Sequence, residues 1–239
     1  MAVVPRYRAS ISRLSGELTA EGAASPGSNL TLSGDLELPD FGLLHDLQVT
    51  AFTPGSWGLR AEAWYAERHE ETLFAAPMRF GDEIITAGSS VRARLRATVA
   101  TLSCWTPMVG AGSDWIAMGF QLGGGVRSIN VRLSLDPDGS TASEAGHARG
   151  LTPFLAVSGF YGIKPLRLEF WAGGWVGRYG PLRCGHFDGG VELAIGDLLH
   201  GFGGSIGFCG ARITFDDHLH DFSGNLRIDG LSLSVQYAF

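Results

Sequence analysis

The densest group of chemistry-bearing side chains in the 239-residue chain is DDHLHD, residues 216–221. Asp216, Asp217, His218, His220 and Asp221 mix carboxylates with imidazoles, a set able to hold a divalent metal or to move protons near neutral pH. The same run, set between two apolar stretches, also reads as a solvated hairpin tip, and His218 and His220 are the residues that would separate the readings. A second set is charged residues at alternate positions: Arg60 and Glu62; Arg92, Arg94 and Arg96; Arg167 and Glu169; His186, Asp188 and Glu192. Cys104, Cys184 and Cys209 are too few and too scattered for a disulfide scaffold or a four-ligand zinc site. Serine-elbow, Walker A and HExxH patterns are missing, and the glycine-rich GFQLGGGV (119–126) has no following helix to make it a phosphate cradle. No catalytic residue and no cofactor is assigned.

The elements that must position these residues are strands. In GLSLSVQYAF, Leu231, Leu233, Val235, Tyr237 and Phe239 alternate with polar or small residues, so one face is apolar throughout. WGLRAEAWYAER, PLRLEFWAG and CGHFDGGVELAIG repeat the period of two, while helical spacing is hard to find. Thirty-five glycines, 18% charged residues, a net charge of -6 and a pI near 5.6 exclude a disordered chain and give no electrostatic reason to bind nucleic acid. The stretch most apolar over a helical span's length, 97–126, is broken by Pro107 and by glycines.

Ten strands follow, at about 6–19, 45–53, 57–68, 91–106, 114–134, 149–162, 165–179, 184–198, 201–215 and 222–239. Their connections alternate: tight at 53–56, 109–114, 163–165 and 198–201, long or polar at 20–44, 69–90, 135–148, 179–184 and 215–222. A sandwich gives no reason for this alternation, whereas a transmembrane barrel has short periplasmic turns and longer external loops. The expectation is all-β: one domain over 1–239, a single closed antiparallel transmembrane barrel of about ten strands, with eight as the alternative. Aromatic residues near strand ends, among them Tyr7, Trp57, Trp105, Tyr161, Trp175 and Tyr237, fit interfacial girdles.

Arginine facing lipid at midplane costs roughly 2–4 kcal/mol. Arg60, Glu62, Arg92, Arg94, Arg96, Arg167, Glu169, His186, Asp188 and Glu192 are therefore assigned to the lumen. There they form either a charged constriction or a network that fills it, and ten strands lie nearer the filled end. A turn near residue 199 sets Cys184 opposite about residue 215, not opposite Cys209, which argues against a disulfide.

The terminal alternation ending in Phe239 resembles the C-terminal signature of bacterial outer-membrane barrels. RFGDEIITAGSSVRARL (79–95), following the RAEAWYAE strand, resembles a loop-and-strand unit of small, poorly characterised barrels akin to the OmpA-like and porin-like families. The resemblance implies an outer-membrane location, assembly read from Leu231, Leu233, Val235, Tyr237 and Phe239 by the barrel-assembly machinery, contact with outer-membrane lipid, a cleaved signal peptide absent from this sequence, and no cofactor. A monomer with a structural, adhesive or narrowly permeating role is expected. Two rivals stay open: a barrel hydrolase of omptin type, which needs acidic and His–Asp pairs on opposite walls of a cleft, and a soluble calycin-like barrel with an apolar lumen. The His and Ser of a lipid A deacylase have no counterpart in the last two strands.

Overall fold

The computed structural model describes residues 2–20, 29–52, 57–80, 83–112, 116–137, 144–179, 182–199, 201–218 and 221–238. Ten strands form the wall: β1 (Ala2–Ala20), β3 (Phe41–Phe52), β4 (Gly58–Leu73), β7 (Ser90–Gly112), β8 (Ile116–Pro137), β9 (Glu144–Ile163), β10 (Leu166–Tyr179), β11 (Leu182–Leu199), β12 (Phe202–Asp217) and β13 (Phe222–Tyr237). Each pairs antiparallel with the next, and β13 pairs with β1, so the barrel is closed as the alternation and turn pattern predict. Around the lower part of the wall, where β9 and β10 pair over Leu155–Ile163 and Leu166–Gly174, closure leaves no free edge, the only way a sheet can cross a bilayer. Three short strands, β2 (Asn29–Thr31), β5 (Met78–Phe80) and β6 (Glu83–Ile85), belong to the external connections. Arg6 lies opposite Gln236, which puts both ends of the chain on the short-turn rim.

The strands run from 12 residues in β3 to 23 in β7. Crossing the hydrocarbon takes about 9–11 tilted residues, so the wall continues well past the bilayer on the external side. The side chains change character along that height. Near the short turns the outward face is apolar, with Leu47, Leu102, Leu122, Leu155, Leu193 and Leu233 all exposed. Toward the external rim the apolar residues turn inward: Leu14, Leu18, Val91, Leu95, Leu133, Leu182 and Phe222 belong to one buried cluster.

Two external connections add to that cluster. β2 and β3 both pair with β1, and the residues between them leave the wall. The Leu32 amide donates to the Gly16 carbonyl (3.0 Å) and the Leu14 amide to the Asp40 carbonyl (2.7 Å), marking where the chain departs and returns. Leu30, Leu32, Leu36 and Leu38 are buried in the cluster, and the Thr72 hydroxyl donates to the Leu36 carbonyl at 2.7 Å. In the 74–89 connection, Phe74, Phe80 and Ile85 join the same cluster.

Several particulars differ from the sequence expectation. The 179–184 connection is tight, with Tyr179 paired to Leu182, because β10 and β11 extend to the external rim. Trp105 is 4% exposed and faces the lumen, and Trp175 lies on an inward register position, so neither belongs to a girdle; Tyr7, Trp57 and Tyr161 do face outward. The glycine excess follows partly from these inward rings. A Cβ at Gly123 would sit 2.5 Å from the Trp105 indole, and one at Gly190 would sit 2.5 Å from Trp171. Cys184 lies opposite Phe215, the register the turn predicts, and the three cysteines are free.

Candidate functional site

Within the membrane-spanning part, among the described residues, five arginines (Arg6, Arg8, Arg60, Arg127, Arg167) face inward with five carboxylates (Asp46, Glu62, Glu169, Asp188, Glu192). Glu192, fully buried on β11, is the hub. It pairs with Arg6, lies 2.8 Å from Arg8, and accepts hydrogen bonds from Ser205 (2.6 Å) and Ser232 (3.1 Å). Arg8 also donates to Asp46 at 2.6 Å, and Arg6 to Glu169 at 3.1 Å. Arg127 pairs with Asp188 and donates to the Thr101 hydroxyl at 2.8 Å. Aromatic faces take the guanidinium planes: Arg8 lies 4.5 Å from the Trp171 ring centre, Arg60 4.1 Å from Trp105 and Arg127 4.0 Å from Phe154. Charges buried in this way persist because they are paired and hydrogen-bonded.

The structure places seven of the ten charged residues assigned to the lumen on the inward face: Arg60, Glu62, Arg167, Glu169, His186, Asp188 and Glu192. Of these, Arg167 pairs with Glu169, while His186 stacks on Phe154 at 6.0 Å and neither of its ring nitrogens has a hydrogen-bond partner. Arg92, Arg94 and Arg96 are a correction. They face outward, because in VRARLRA the apolar Val91, Ala93 and Leu95 fill the buried cluster and leave the arginines to water above the bilayer. Arg6, Arg8, Asp46 and Arg127 are lumen residues that sequence reasoning missed. Arg127 falls in the alternation of β8, and parity would have found it; Arg6 and Arg8 lie in a strand whose outward residues are too mixed to show its face.

Beneath the apolar cluster the lumen holds a cavity of about 360 Å³ at the short-turn end, lined by Arg6, Arg60, Glu62, Arg167, Glu169 and Trp171 among others. A smaller space of about 40 Å³ lies deeper, between Asp46, Trp64, Trp171 and Asp188. Arg60 and Glu62 form no ion pair among the described residues and face the larger cavity.

The DDHLHD cluster does not converge. Asp217 is 1% exposed and faces inward, accepting a hydrogen bond from the Arg149 amide (3.4 Å), whereas Asp216 and His218 are solvent-exposed and 3.5 Å apart. His220 lies outside the described residues, as does Phe239. Among the described residues no three His, Cys, Asp or Glu side chains are placed to hold a metal. The final strand's other residues sit as the alternation requires, with Leu231, Leu233 and Val235 exposed on the outer face and the Tyr237 ring tilted against Phe202.

The architecture has known counterparts. The outer membrane protease OmpT from Escherichia coli superposes with a TM-score of 0.57 at 9% identity, covering 100% of this chain and 97% of that one. The fold is that of an outer-membrane β-barrel. Overlap with the transport unit of the autotransporter AIDA-I from Escherichia coli is looser (TM-score 0.43, 11% identity, 100% and 91% covered). So is overlap with Ail, the attachment invasion locus protein of Yersinia pestis (TM-score 0.36, 10% identity, 98% and 99% covered). No protein-family model matches the chain, and no curated protein matches its sequence. At 9% identity the likeness to OmpT is one of fold and nothing finer.

Proposed function

We propose that this outer-membrane barrel is a non-conducting anchor with a structural or adhesive role, carried by the rigid part that rises above the bilayer. The observation that carries this reading is the apolar filling of the external half. Leu36 and Leu38 of the inward excursion, with Phe74, Phe80 and Ile85, pack against inward residues of the wall where a solute would have to pass. Among the described residues the charged network below holds five arginines and five carboxylates, eight of the ten in ion pairs, and has the character of lumen packing. The location follows from the apolar outer band, and the exposed Leu231, Leu233 and Val235 offer the barrel-assembly machinery an alternating final strand.

A narrow permeation path would need the short-turn cavity to continue upward, and the space above Asp46 and Trp64 narrows into the apolar cluster. A hydrolase at the external mouth would need carboxylates and histidines facing one another across a cleft, whereas Asp217 is turned inward and Asp216 and His218 lie together at one strand end. The soluble-barrel reading would bury apolar side chains throughout, yet the lower lumen is ionic and the lower wall exposes leucines. The test is reconstitution of the folded protein, identified by heat-modifiable gel migration, in a planar bilayer. Folded protein without discrete conductance is expected; stable single-channel steps would overturn the proposal.

A further inference from the structure

The outward-facing arginines draw attention to the wall formed by β4, β7, β8 and β9. Two depressions lie one above the other on its outer surface. The upper, about 260 Å³, is polar and is lined by Tyr65, Arg96, Thr98, Asn130 and Arg132. The lower, about 430 Å³, is apolar: Ala61, Ala63 and Ala100 form its floor, and Leu102, Val126 and Leu151 stand among its rims. They follow the same strands, since Thr98 and Ala100, Asn130 and Ser128, and Tyr65 and Ala63 are successive outward positions, each pair about 7 Å apart. One surface is thus polar where the wall leaves the bilayer and grooved where it meets the acyl chains.

The charge in the upper depression is only partly compensated, since one carboxylate faces three outward arginines. Arg96 and Arg132 are direct cross-strand partners, a pairing of like charges that is unfavourable by itself. Glu67 is shared by Arg94 and by Arg96, the latter at 3.3 Å, and Arg132 pairs with no carboxylate among the described residues. Two guanidinium groups with a hydroxyl and an amide beside them match the oxygens of a phosphate, while the Tyr65 hydroxyl is held by Glu67. Small residues below, flanked by branched ones, leave a furrow in which a hydrocarbon chain gains dispersion contacts that a flat wall does not give.

We infer that this wall is a binding site for one phosphate-bearing lipid of the surrounding leaflet, its headgroup between Arg96 and Arg132 and an acyl chain in the Ala61–Ala63–Ala100 furrow. The site rests on the membrane placement but not on whether the lumen conducts.

The experiment uses the full chain folded in dodecyl maltoside, with folding verified by heat-modifiable migration. Native mass spectrometry measures retention of dipalmitoyl phosphatidic acid against dipalmitoyl phosphatidylcholine, with inorganic phosphate as competitor. Phosphatidic acid is expected to be retained in preference, and Arg96→Gln and Arg132→Gln are each expected to weaken it about ten-fold, as loss of one charge-assisted contact does. Ala63→Phe, which fills the furrow, is expected to weaken it with the headgroup contacts intact, and Arg212→Gln, on the far wall, to leave it unchanged. Equal retention of the two lipids would overturn the inference. So would an equal loss in Arg212→Gln, which would indicate diffuse attraction, or displacement by inorganic phosphate with no effect of Ala63→Phe, which would indicate an anion site without a lipid. Absence of the gel shift in the unmodified protein would instead remove the membrane reading itself.

Discussion

Near the short turns, Asp46 and Thr50 of β3 face inward while Leu47 and Val49 between them face outward; near the external rim, Leu95 and Leu133 face inward while Arg94 and Arg132 face outward. Strand geometry and period are the same in both halves, although the β9–β10 ladder stops at Leu155 and Gly174, below the external rim. What differs is the medium outside. Against hydrocarbon, charge must be kept inside and paired; against water, apolar groups must be kept inside and packed. The barrel is therefore a membrane protein for part of its height and is built like a soluble β-barrel for the rest. His186 and Phe154 stack close to where one interior gives way to the other.

The sharpest way to break the comparison is to truncate one buried side chain in each interior. Glu192→Ala takes the shared carboxylate from Arg6 and Arg8, leaving them Glu169 and Asp46 alone, and is expected to cost about 3–5 kcal/mol, as removal of one partner from a buried ion pair does. Leu133→Ala opens a cavity in the upper cluster and is expected to cost about 2–5 kcal/mol. Denaturant unfolding of the vesicle-embedded protein, followed by tryptophan fluorescence, measures both. A negligible loss for Glu192→Ala would mean that water reaches the arginines and that the lower lumen is open, not filled.

This division also explains how much of the fold is legible in the sequence. Period two and turn spacing are local properties, and together they give the ten strands, the closed sheet, the rim carrying the termini and, from the turn near residue 199, the Cys184–Phe215 register. Which face is inside is not local. VRARLRA is compatible with either facing, and a slip or inversion by one residue exchanges the two sets of side chains. Assigning Arg92, Arg94 and Arg96 by the membrane rule failed because β7 is 23 residues long and leaves the bilayer before it reaches them. Residues 33–39 were equally opaque: nothing in their spacing shows that Leu36 and Leu38 turn into the barrel, since that depends on the volume left by the opposite wall.

A matched pair of substitutions on the outer surface sharpens the same comparison. Leu233 and Leu73 are exposed to nearly the same extent, 63% and 66%, but one sits in the apolar band and the other at the external end of β4. Leu233→Arg is expected to cost about 2–4 kcal/mol. Leu73→Arg, facing water, is expected to stay within about 0.5 kcal/mol of the unmodified protein. Equal effects in the vesicle-embedded protein would remove the distinction between the halves.

The smallest effect concerns Glu67, which lies above the apolar band among the outward arginines. The Tyr65 hydroxyl donates to its carboxylate, and Arg94 and Arg96 donate as well; against the opposing effect of desolvation these bonds lower its pKa from 4.5 to about 2. A carboxyl group whose pKa is lower folded than unfolded stabilises the fold fully above the unfolded value and loses that contribution as pH falls through the folded one. The contribution is therefore complete above about pH 5 and disappears toward pH 2. Carbon-13 NMR of the Glu67 carboxyl group in micelles is expected to show a midpoint near the lowered value, moving upward in Tyr65→Phe. Thermal stability should fall less steeply between pH 5 and 2 in Glu67→Gln than in the unmodified protein. A midpoint at the ordinary carboxylate value would show that Glu67 is not held by these partners, and Arg94 and Arg96 would then stand fully uncompensated on the outer wall.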